Sequence, residues 1–158
     1  MELKHYKSLP KKRMSAGAII FNDNEKILIV KPTYKEHWHI PGGIIEEDES
    51  PLYACQRELD EELGLKIEIK SLLTIDYKPA TQQYTESLNF IFYGGKIGRY
   101  KIKNIVIPQK ELETYKFISK DQVSDYLSIS MAKRIQFALK AIKENKTYYL
   151  EQQKMKFR

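Results

Sequence analysis

A cluster of carboxylates and one arginine between residues 49 and 62 has the spacing needed for acid–base or metal chemistry. Glu58 and Glu62 are four residues apart, which on a helix places them on one side, and Glu61 lies nearby. Like charges at this spacing repel each other, but a divalent cation between the carboxylates would make the arrangement favourable. Oxygen ligands of this type suit Mg²⁺ or Mn²⁺. A solvated acidic helix is the competing interpretation.

The neighbours of this cluster suit the same chemistry. Arg57 could orient the adjacent carboxylate of Glu58 or neutralise negative charge that develops during a reaction. Gly42 and Gly43 precede the helix and allow the backbone to come close to a metal or a phosphate, because they have no Cβ. The N-terminus of a helix also favours anions. Together these parts predict phosphoryl transfer to water, in which positioning and charge stabilisation do most of the work.

The charge distribution separates this segment from the rest of the chain. Residues 46–62 contain eight acidic side chains and one arginine, which gives this segment a net charge of −7. Because the whole chain carries +6, the other residues together carry +13. A basic surface around an acidic site predicts attraction of polyanions outside and cation binding inside. Nucleic acid is therefore a candidate partner.

The acidic cluster lies on a predicted helix with clear start and stop signals. Ser50 is a typical N-cap, Pro51 fits the first helical position and Gly64 is a typical C-terminal stop. The apolar stripe that is predicted to face the core consists of Leu52, Cys55, Leu59 and Leu63. The Glu58 and Glu62 side chains flank this stripe, at the edge of the core.

Strands and two further helices are predicted around this helix. The strands, some joined by polar turns, cover residues 15–21, 26–30, 37–40, 65–77, 86–97 and 115–119. Helices are predicted near residues 120–127 and over 129–144, the second with Ile135, Ala138, Leu139 and Ile142 on its apolar face and Arg134 among the charges elsewhere. This order predicts an α/β protein with a mixed sheet that carries helices on its faces.

The acidic segment resembles the signature of the Nudix (MutT-like) hydrolase family. Gly43, Glu49 and the run from Arg57 to Leu65, RELDEELGL, fill every fixed position of that 23-residue box, and residues 38–42, WHIPG, resemble its usual lead-in. The resemblance implies an α/β/α sandwich that hydrolyses nucleoside diphosphates linked to another group, with Mg²⁺ or Mn²⁺. It also implies one domain over residues 1–158, with its core at about 14–144 and the box at 43–65.

The resemblance assigns roles residue by residue. The implied metal ligands are Glu58, Glu62, Glu61 and the carbonyl of Gly42. Arg57 is expected to orient Glu58, and Glu49 to assist through water and hold the loop. The general base differs among family members, so Glu61 inside the box and Glu111 outside it both stay open, with Glu113 a weaker outside candidate.

Contacts to the substrate are expected from Gly43, Trp38 and Tyr84. Trp38 either packs beside the site or stacks on a base, and Tyr84 either stacks on a base or packs in the core. His37 and His39 could begin a zinc site, but no further ligands are apparent. Cys55 falls on the core stripe and is predicted to be a packing residue. The favoured substrates are nucleoside triphosphates, oxidised nucleotides or an ADP-ribose-like compound. The alternatives are removal of pyrophosphate from the 5′ end of RNA and a Nudix-fold module that senses a nucleotide without cleaving it.

The remaining features set the expected class and location. Apolar runs such as AGAIIF are too short for a bilayer, which takes about 20 residues, so no membrane span is expected. The basic first dozen residues lack the apolar core of a signal peptide, and a single cysteine cannot form an internal disulfide. A cytoplasmic protein is therefore expected. The family resemblance adds a homodimer as an expectation.

Overall fold

The computed structural model describes residues 2–157, in which eight strands form one mixed sheet. The strands are β1 Arg13–Phe21, β2 Ile27–Pro32, β3 Gly42–Ile44, β4 Ser71–Lys78, β5 Ser87–Lys96, β6 Leu112–Ile118, β7 Tyr148–Glu151 and β8 Lys154–Met155. The helices are α1 Glu2–Ser8, α2 Pro51–Leu63, α3 Arg99–Lys103, α4 Val123–Tyr126 and α5 Ile129–Glu144, with a 3₁₀ turn at Lys120–Gln122. The strand order is β6-β2-β1-β5-β4-β7-β8, and β3 pairs with β1.

The centre of the sheet explains the position of the acidic segment. β1 runs parallel to β5 and antiparallel to β2 and β3, and β3 pairs Gly42 with Gly17 and Gly43 with Ala16. The loop after β3 leads directly into α2, which packs over β1, β3 and β5. Gly42 and Gly43 are therefore held in the sheet, while the carboxylates lie on the helix above them.

Two apolar clusters, one on each face of the sheet, make this an α/β/α sandwich, as predicted. On one face α2 buries Ala54, Cys55, Leu59 and Leu63 against strand residues such as Ile20. On the other face α5 buries a second stripe, which includes Ile135 and Ala138. Burial of such side chains stabilises the fold by roughly 1.5–3 kcal/mol for each large aliphatic residue.

The apolar stripe of α2 differs from the prediction at one position. Leu52 is 45% exposed, whereas Ala54 is buried in its place. The helix begins at Pro51, so Leu52 lies in the first turn, at its solvent-facing edge. Burial of Cys55, followed by the charges of Glu58 and Glu62, raises the pKa of the Cys55 thiol to about 12, which agrees with a packing role.

Two predicted strands have different extents in the structure. Residues 64–70 form no ladder, and β4 begins only at Ser71. Leu65 and Ile67 are nevertheless buried, because an extended segment over the core alternates its side chains without needing a partner strand. The predicted strand 37–40 contributes only isolated bridges, from His39 to Val30 and from Trp38 to Leu127, and the true strand begins at Gly42.

The amphipathic C-terminal helix has its predicted bounds, but Arg134 is buried, not exposed as predicted. Its Nε donates to Oδ2 of Asp76 at 2.6 Å, and Asp76 is fully buried in β4. Gln153 also binds the Asp76 carboxylate, to which it donates its backbone N–H (3.0 Å) and its side-chain Nε2–H (2.9 Å). This network joins α5, β4 and the turn between β7 and β8. The strands β7 and β8 extend the sheet beyond residue 144.

Candidate active site

The boundaries of α2 are set by the residues that the sequence indicated. The Ser50 side chain accepts the backbone N–H of Tyr53 at 3.2 Å, and Pro51 occupies the first turn. Gly64 adopts a left-handed conformation (φ 65°) and donates its N–H to the carbonyl of Asp60 at 2.8 Å. These caps satisfy backbone groups at both ends, so the carboxylates lie on a well-formed helix despite their mutual repulsion.

Arg57 connects the helix, the preceding loop and β3. Its Nε and Nη2 bind the two carboxylate oxygens of Glu49 at 2.5 and 3.0 Å, and Nη2 also donates to the Ile44 carbonyl at 3.2 Å. Nη1 donates to Glu58 Oε1 at 2.9 Å and to Glu61 Oε2 at 3.1 Å. These interactions raise the pKa of Arg57, and the guanidinium lowers the pKa of Glu49. The predicted orientation of Glu58 by Arg57 agrees with these contacts.

Glu49 also holds the loop before the helix. Its Oε2 accepts the backbone N–H of Glu46 at 2.9 Å, across the turn in which Asp48 adopts a left-handed conformation (φ 61°). The loop and Arg57 are thus tied to the same carboxylate. These contacts are the ones that the predicted loop-holding role of Glu49 requires.

Glu62 points back at Gly42, the residue immediately before the box. Its Oε2 accepts the backbone N–H of Gly42 at 2.8 Å. Burial raises the pKa of Glu62 to about 8, the Gly42 hydrogen bond opposes this shift, and the negative charges of Glu58, Glu111 and Glu61 add to it. Burial of the carboxylate is thus the main reason that Glu62 holds its proton more tightly than a free glutamate does.

Glu58 lies against Gly43, the first residue of the box. A Cβ on Gly43 would stand 2.4 Å from Glu58 Oε1 and 2.5 Å from its Cδ, so only glycine leaves room for this carboxylate. Burial raises the pKa of Glu58, Arg57 opposes the shift, and Glu61 and Glu111 reinforce it.

Gly42 is required for a different reason. It has φ 149°, and a Cβ there would stand 2.3 Å from the carbonyl oxygen of Ala16 and 2.4 Å from the Cα of Gly17. β3 can therefore approach β1 this closely only with glycine at position 42. The role of Gly17 on the opposite strand was not predicted, because only strand register shows which residues meet.

Glu111 is brought to the site from outside the box. It lies in the turn before β6, where its N–H donates to the Pro108 carbonyl and its carbonyl accepts from Thr33. Its charge raises the pKa of both Glu58 and Glu62, which places it within electrostatic reach of them. Glu113 instead lies 3.9 Å from the Lys31 ammonium.

The predicted base-stacking residues make their contacts outside the box. Trp38 packs against the apolar cluster on the α5 face, edge-to-face with Tyr126, and the Lys116 ammonium lies 5.3 Å from its ring. Tyr84 is 58% exposed in the loop after β4, with the Arg13 guanidinium 6.0 Å from its ring. Within residues 2–157 no hydrogen bond or ring contact joins either side chain to the box.

The donor set fits a hard divalent cation, although its members are not drawn together as a finished cluster. No group of three or more His, Cys, Asp or Glu side chains in the described chain is preassembled around a metal position. Glu58 and Glu62 nevertheless converge on the Gly42–Gly43 backbone, and burial raises the pKa of both, so a cation would offset the cost of burying their charged forms. All of these donors are oxygen atoms, as Mg²⁺ prefers. Across the described residues His39 belongs to no such group: it is half-buried, its backbone pairs with Val30 on β2, and burial lowers its pKa to about 4, which keeps the imidazole neutral.

Comparisons with known proteins agree with this architecture. The family model described as NUDIX domain matches residues 11–138. A zebrafish (Danio rerio) protein named 8-oxo-dGDP phosphatase NUDT18 is 36% identical over 85 residues, which cover 52% of this chain and 25% of that protein. An RNA pyrophosphohydrolase of Ruthia magnifica is 41% identical over 61 residues, or 39% of this chain and 34% of that protein. The chain thus spans a quarter to a third of the length of these relatives.

Solved structures show the same fold. The MutT protein from Methanosarcina mazei Go1 aligns with a TM-score of 0.68 at 21% identity, over 89% of this chain and 100% of that chain. The chain belongs to the NUDIX family, which confirms the resemblance and the predicted fold class. Across residues 2–157, no helix has the length and apolar character needed to span a membrane.

Proposed function

We propose that this protein is a divalent-cation-dependent hydrolase that cleaves the pyrophosphate linkage of nucleoside diphosphate-X compounds. The observation that supports this most directly is the convergence of Glu58 and Glu62 on the Gly42–Gly43 backbone, beside an arginine that is itself fixed by Glu49. A solvated helix would not bury carboxylates against a glycine pair or raise their pKa values.

Glu58, Glu62, Glu61 and the Gly42 carbonyl would hold the cation. When bound, Mg²⁺ or Mn²⁺ supplies charge neutralisation at the phosphates and lowers the pKa of a water molecule. Arg57 keeps Glu58 directed towards this position through the 2.9 Å hydrogen bond. Gly43 leaves room for the Glu58 carboxylate beside the backbone, and Gly42 lets β3 lie close to β1.

The chemical step is the attack of water on phosphorus. The water oxygen forms a new bond to phosphorus, the bridging P–O bond breaks, and the leaving phosphate takes the bridging oxygen. A carboxylate accepts the proton of the water. Glu61 and Glu111 are both exposed and both within electrostatic reach of Glu58, so they are the two candidates for this base.

The substrate class is a small nucleotide: a nucleoside triphosphate, an oxidised nucleotide or an ADP-ribose-like compound. The zebrafish relative, named as an 8-oxo-dGDP phosphatase, supports an oxidised nucleotide. A second candidate is removal of pyrophosphate from the 5′ end of RNA. It is favoured by the +13 outside residues 46–62 and by the relative named RNA pyrophosphohydrolase. A nucleotide-sensing module without catalysis is the rival from another class, and the retention of Glu58, Glu61 and Glu62 argues against it.

A substrate panel tests these alternatives. Nucleoside triphosphates, 8-oxo-dGDP, ADP-ribose and 5′-triphosphorylated RNA are incubated with Mg²⁺ or Mn²⁺, and the phosphate products are separated. We expect cleavage of at least one small nucleotide, which EDTA abolishes and Glu62→Gln reduces severely. Asp60→Asn is the matched control. Asp60 is an exposed acid on the same helix, and its side chain binds neither Arg57 nor the Gly42–Gly43 backbone.

The outcome separates the candidates. Cleavage of RNA alone, with activity that falls steeply as the salt concentration rises, would favour removal of pyrophosphate from the 5′ end of RNA. Binding without cleavage of any compound would favour the sensing module, and a Glu62→Gln variant as active as the wild type would refute the catalytic assignment. A cytoplasmic location and a homodimer belong to the same proposal, and sedimentation analysis of the purified protein tests the second.

A further inference from the structure

A groove that the catalytic proposal does not use lies on the α5 face of the sheet. Its volume is about 610 Å³, and it adjoins a second cavity of about 210 Å³ with which it shares Tyr93 and Ile142. It opens beside Phe21 at the end of β1, whereas the box glycines pair with Ala16 and Gly17 earlier in that strand. Pockets for small ligands have volumes of about 300–1,000 Å³, so the groove is large enough for a nucleotide.

The floor of the groove is apolar and ordered by packing. It is formed by Phe21 and Tyr93 from the sheet and by Leu139 and Ile142 from α5. The Phe21 and Tyr93 rings meet edge-to-face with their centroids 6.1 Å apart. Phe21 is buried, whereas Tyr93, Leu139 and Ile142 are half-buried, so these three side chains provide most of the apolar surface that a ligand ring could contact.

The rim of the groove is basic. Four lysines line it, against two acids, Glu25 and Glu144. Glu25 is bound to one of the four, Lys96, at 3.2 Å, and Glu144 accepts the hydroxyl of Tyr148. The other three lysines are Lys120, Lys140 and Lys143, and no salt bridge in residues 2–157 neutralises them.

Aromatic rings hold two of these ammonium groups in place. Lys120 Nζ lies 5.4 Å from the centroid of the Phe21 ring, and Lys140 Nζ lies 5.7 Å from that of Tyr148. A cation–π contact of this kind orients the lysine without removing its positive charge. The groove therefore combines an apolar floor with three exposed lysines that form no salt bridge within residues 2–157, of which Lys120 is close enough to Glu25 to lower the pKa of that carboxyl.

We propose that this groove is a second binding site, for a nucleotide that carries two or three phosphates. Its base would lie on the apolar floor, and its phosphates would bind Lys120, Lys140 and Lys143, since an ammonium group binds phosphate as a point charge. The adjoining cavity contributes the side chains of Ser71 and Asn145, whose polar atoms suit a sugar. A single carboxylate on an aliphatic chain would leave most of the cations unused.

This inference does not rest on the catalytic proposal, because none of the box carboxylates lines the groove. The test uses ADP and the full chain in EDTA, so that binding supported by a divalent cation at the box is suppressed. Binding is measured by calorimetry, together with the NMR signals of the Leu139 and Ile142 methyl groups. We expect saturable binding of ADP that shifts both sets of signals.

Variants on α5 supply the contrast. Lys140→Gln combined with Lys143→Gln should weaken ADP binding by about tenfold or more, since two charge-assisted contacts are lost. Lys133→Gln should leave binding unchanged, because Lys133 is exposed on the same helix and does not line the groove. Thermal unfolding should be similar for all of these proteins, since the substituted side chains are exposed.

Three results would overturn the proposal. The first is no saturable binding of ADP, and the second is binding that Arg57→Lys weakens while the double lysine variant does not. The third is methyl shifts that depend on protein concentration and not on ADP, because these would mean that a second copy of the chain covers the groove. The substrate panel is scored separately, so failure of one proposal leaves the other standing.

Discussion

Arg57 binds both carboxylate oxygens of Glu49, at 2.5 and 3.0 Å, and the same guanidinium reaches Glu58 at 2.9 Å. One side chain thus fixes the loop before α2 and a carboxylate on α2. A lysine in its place would have one ammonium group and no planar fork, so it could not make these contacts together.

Arg57→Lys should therefore reduce catalysis more than stability. We expect kcat to fall by about 10–100-fold, the usual effect of removing a group that orients a metal ligand. Steady-state kinetics on the best substrate of the panel measure this, with Arg99→Lys as the control at an exposed site on α3. Equal activity of Arg57→Lys and wild type would contradict the positioning role.

Gly43→Ala should displace Glu58. The added Cβ would stand 2.4 Å from Glu58 Oε1, so the carboxylate must move away from its place beside Arg57. We expect activity to fall by about tenfold or more, as for loss of a group that orients a ligand. Gly98→Ala is the control, since the nearest atom to its Cβ is Asp23 Oδ2 at 3.8 Å. A fully active Gly43→Ala protein would show that Glu58 is not needed in this position.

The metal-free protein should lose stability as pH rises from about 5 to 8. Glu62 has a folded-state pKa of about 8, above the ordinary value of 4.5, so in this range the folded state holds a proton that the unfolded state has released. The free energy of unfolding contributed by Glu62 is therefore complete at low pH and lost as pH passes through 8. Urea unfolding in EDTA at several pH values measures it.

Glu62→Gln provides the comparison for the pH experiment, because glutamine cannot titrate. The variant should lack this part of the decline, while terms from other groups remain in both proteins. His39, whose pKa is lowered to about 4, acts in the opposite direction, since its stabilising effect is lost as pH falls. Identical pH profiles for the two proteins would show that the Glu62 pKa is not raised.

Arg134→Ala should destabilise the fold strongly without touching the box. It removes the 2.6 Å ion pair and leaves the fully buried Asp76 with only the hydrogen bonds from Gln153. Removing one partner of a buried pair costs about 3–5 kcal/mol. Denaturant unfolding measures the loss, and Lys133→Ala should be nearly neutral. A loss below about 1 kcal/mol would mean that solvent or Gln153 compensates the Asp76 charge.

The local parts of the site were predictable because they depend on neighbouring residues in the chain. The Ser50 and Gly64 caps, the bounds of α5 and the placement of Glu58 and Glu62 on one side of a helix follow from backbone chemistry and helical spacing. The errors arose where a residue's environment comes from elsewhere. Leu52 follows the apolar period of α2 but is exposed, because it lies outside the surface that packs on the sheet. Residues 64–70 alternate like a strand but have no partner strand.

The amino-acid sequence by itself therefore determined the helix, its caps, its charges and the presence of a glycine pair before it. Only the tertiary structure decided that Gly42 lies against Gly17, that Glu111 comes within electrostatic reach of Glu58 and Glu62, and that Arg134 is buried. It also decided that four lysines from three separate segments, around residues 96, 120 and 140–143, surround one groove. The physical reason is that capping and periodicity act over a few residues, whereas burial, register and electrostatic potential depend on segments that meet only when the sheet assembles.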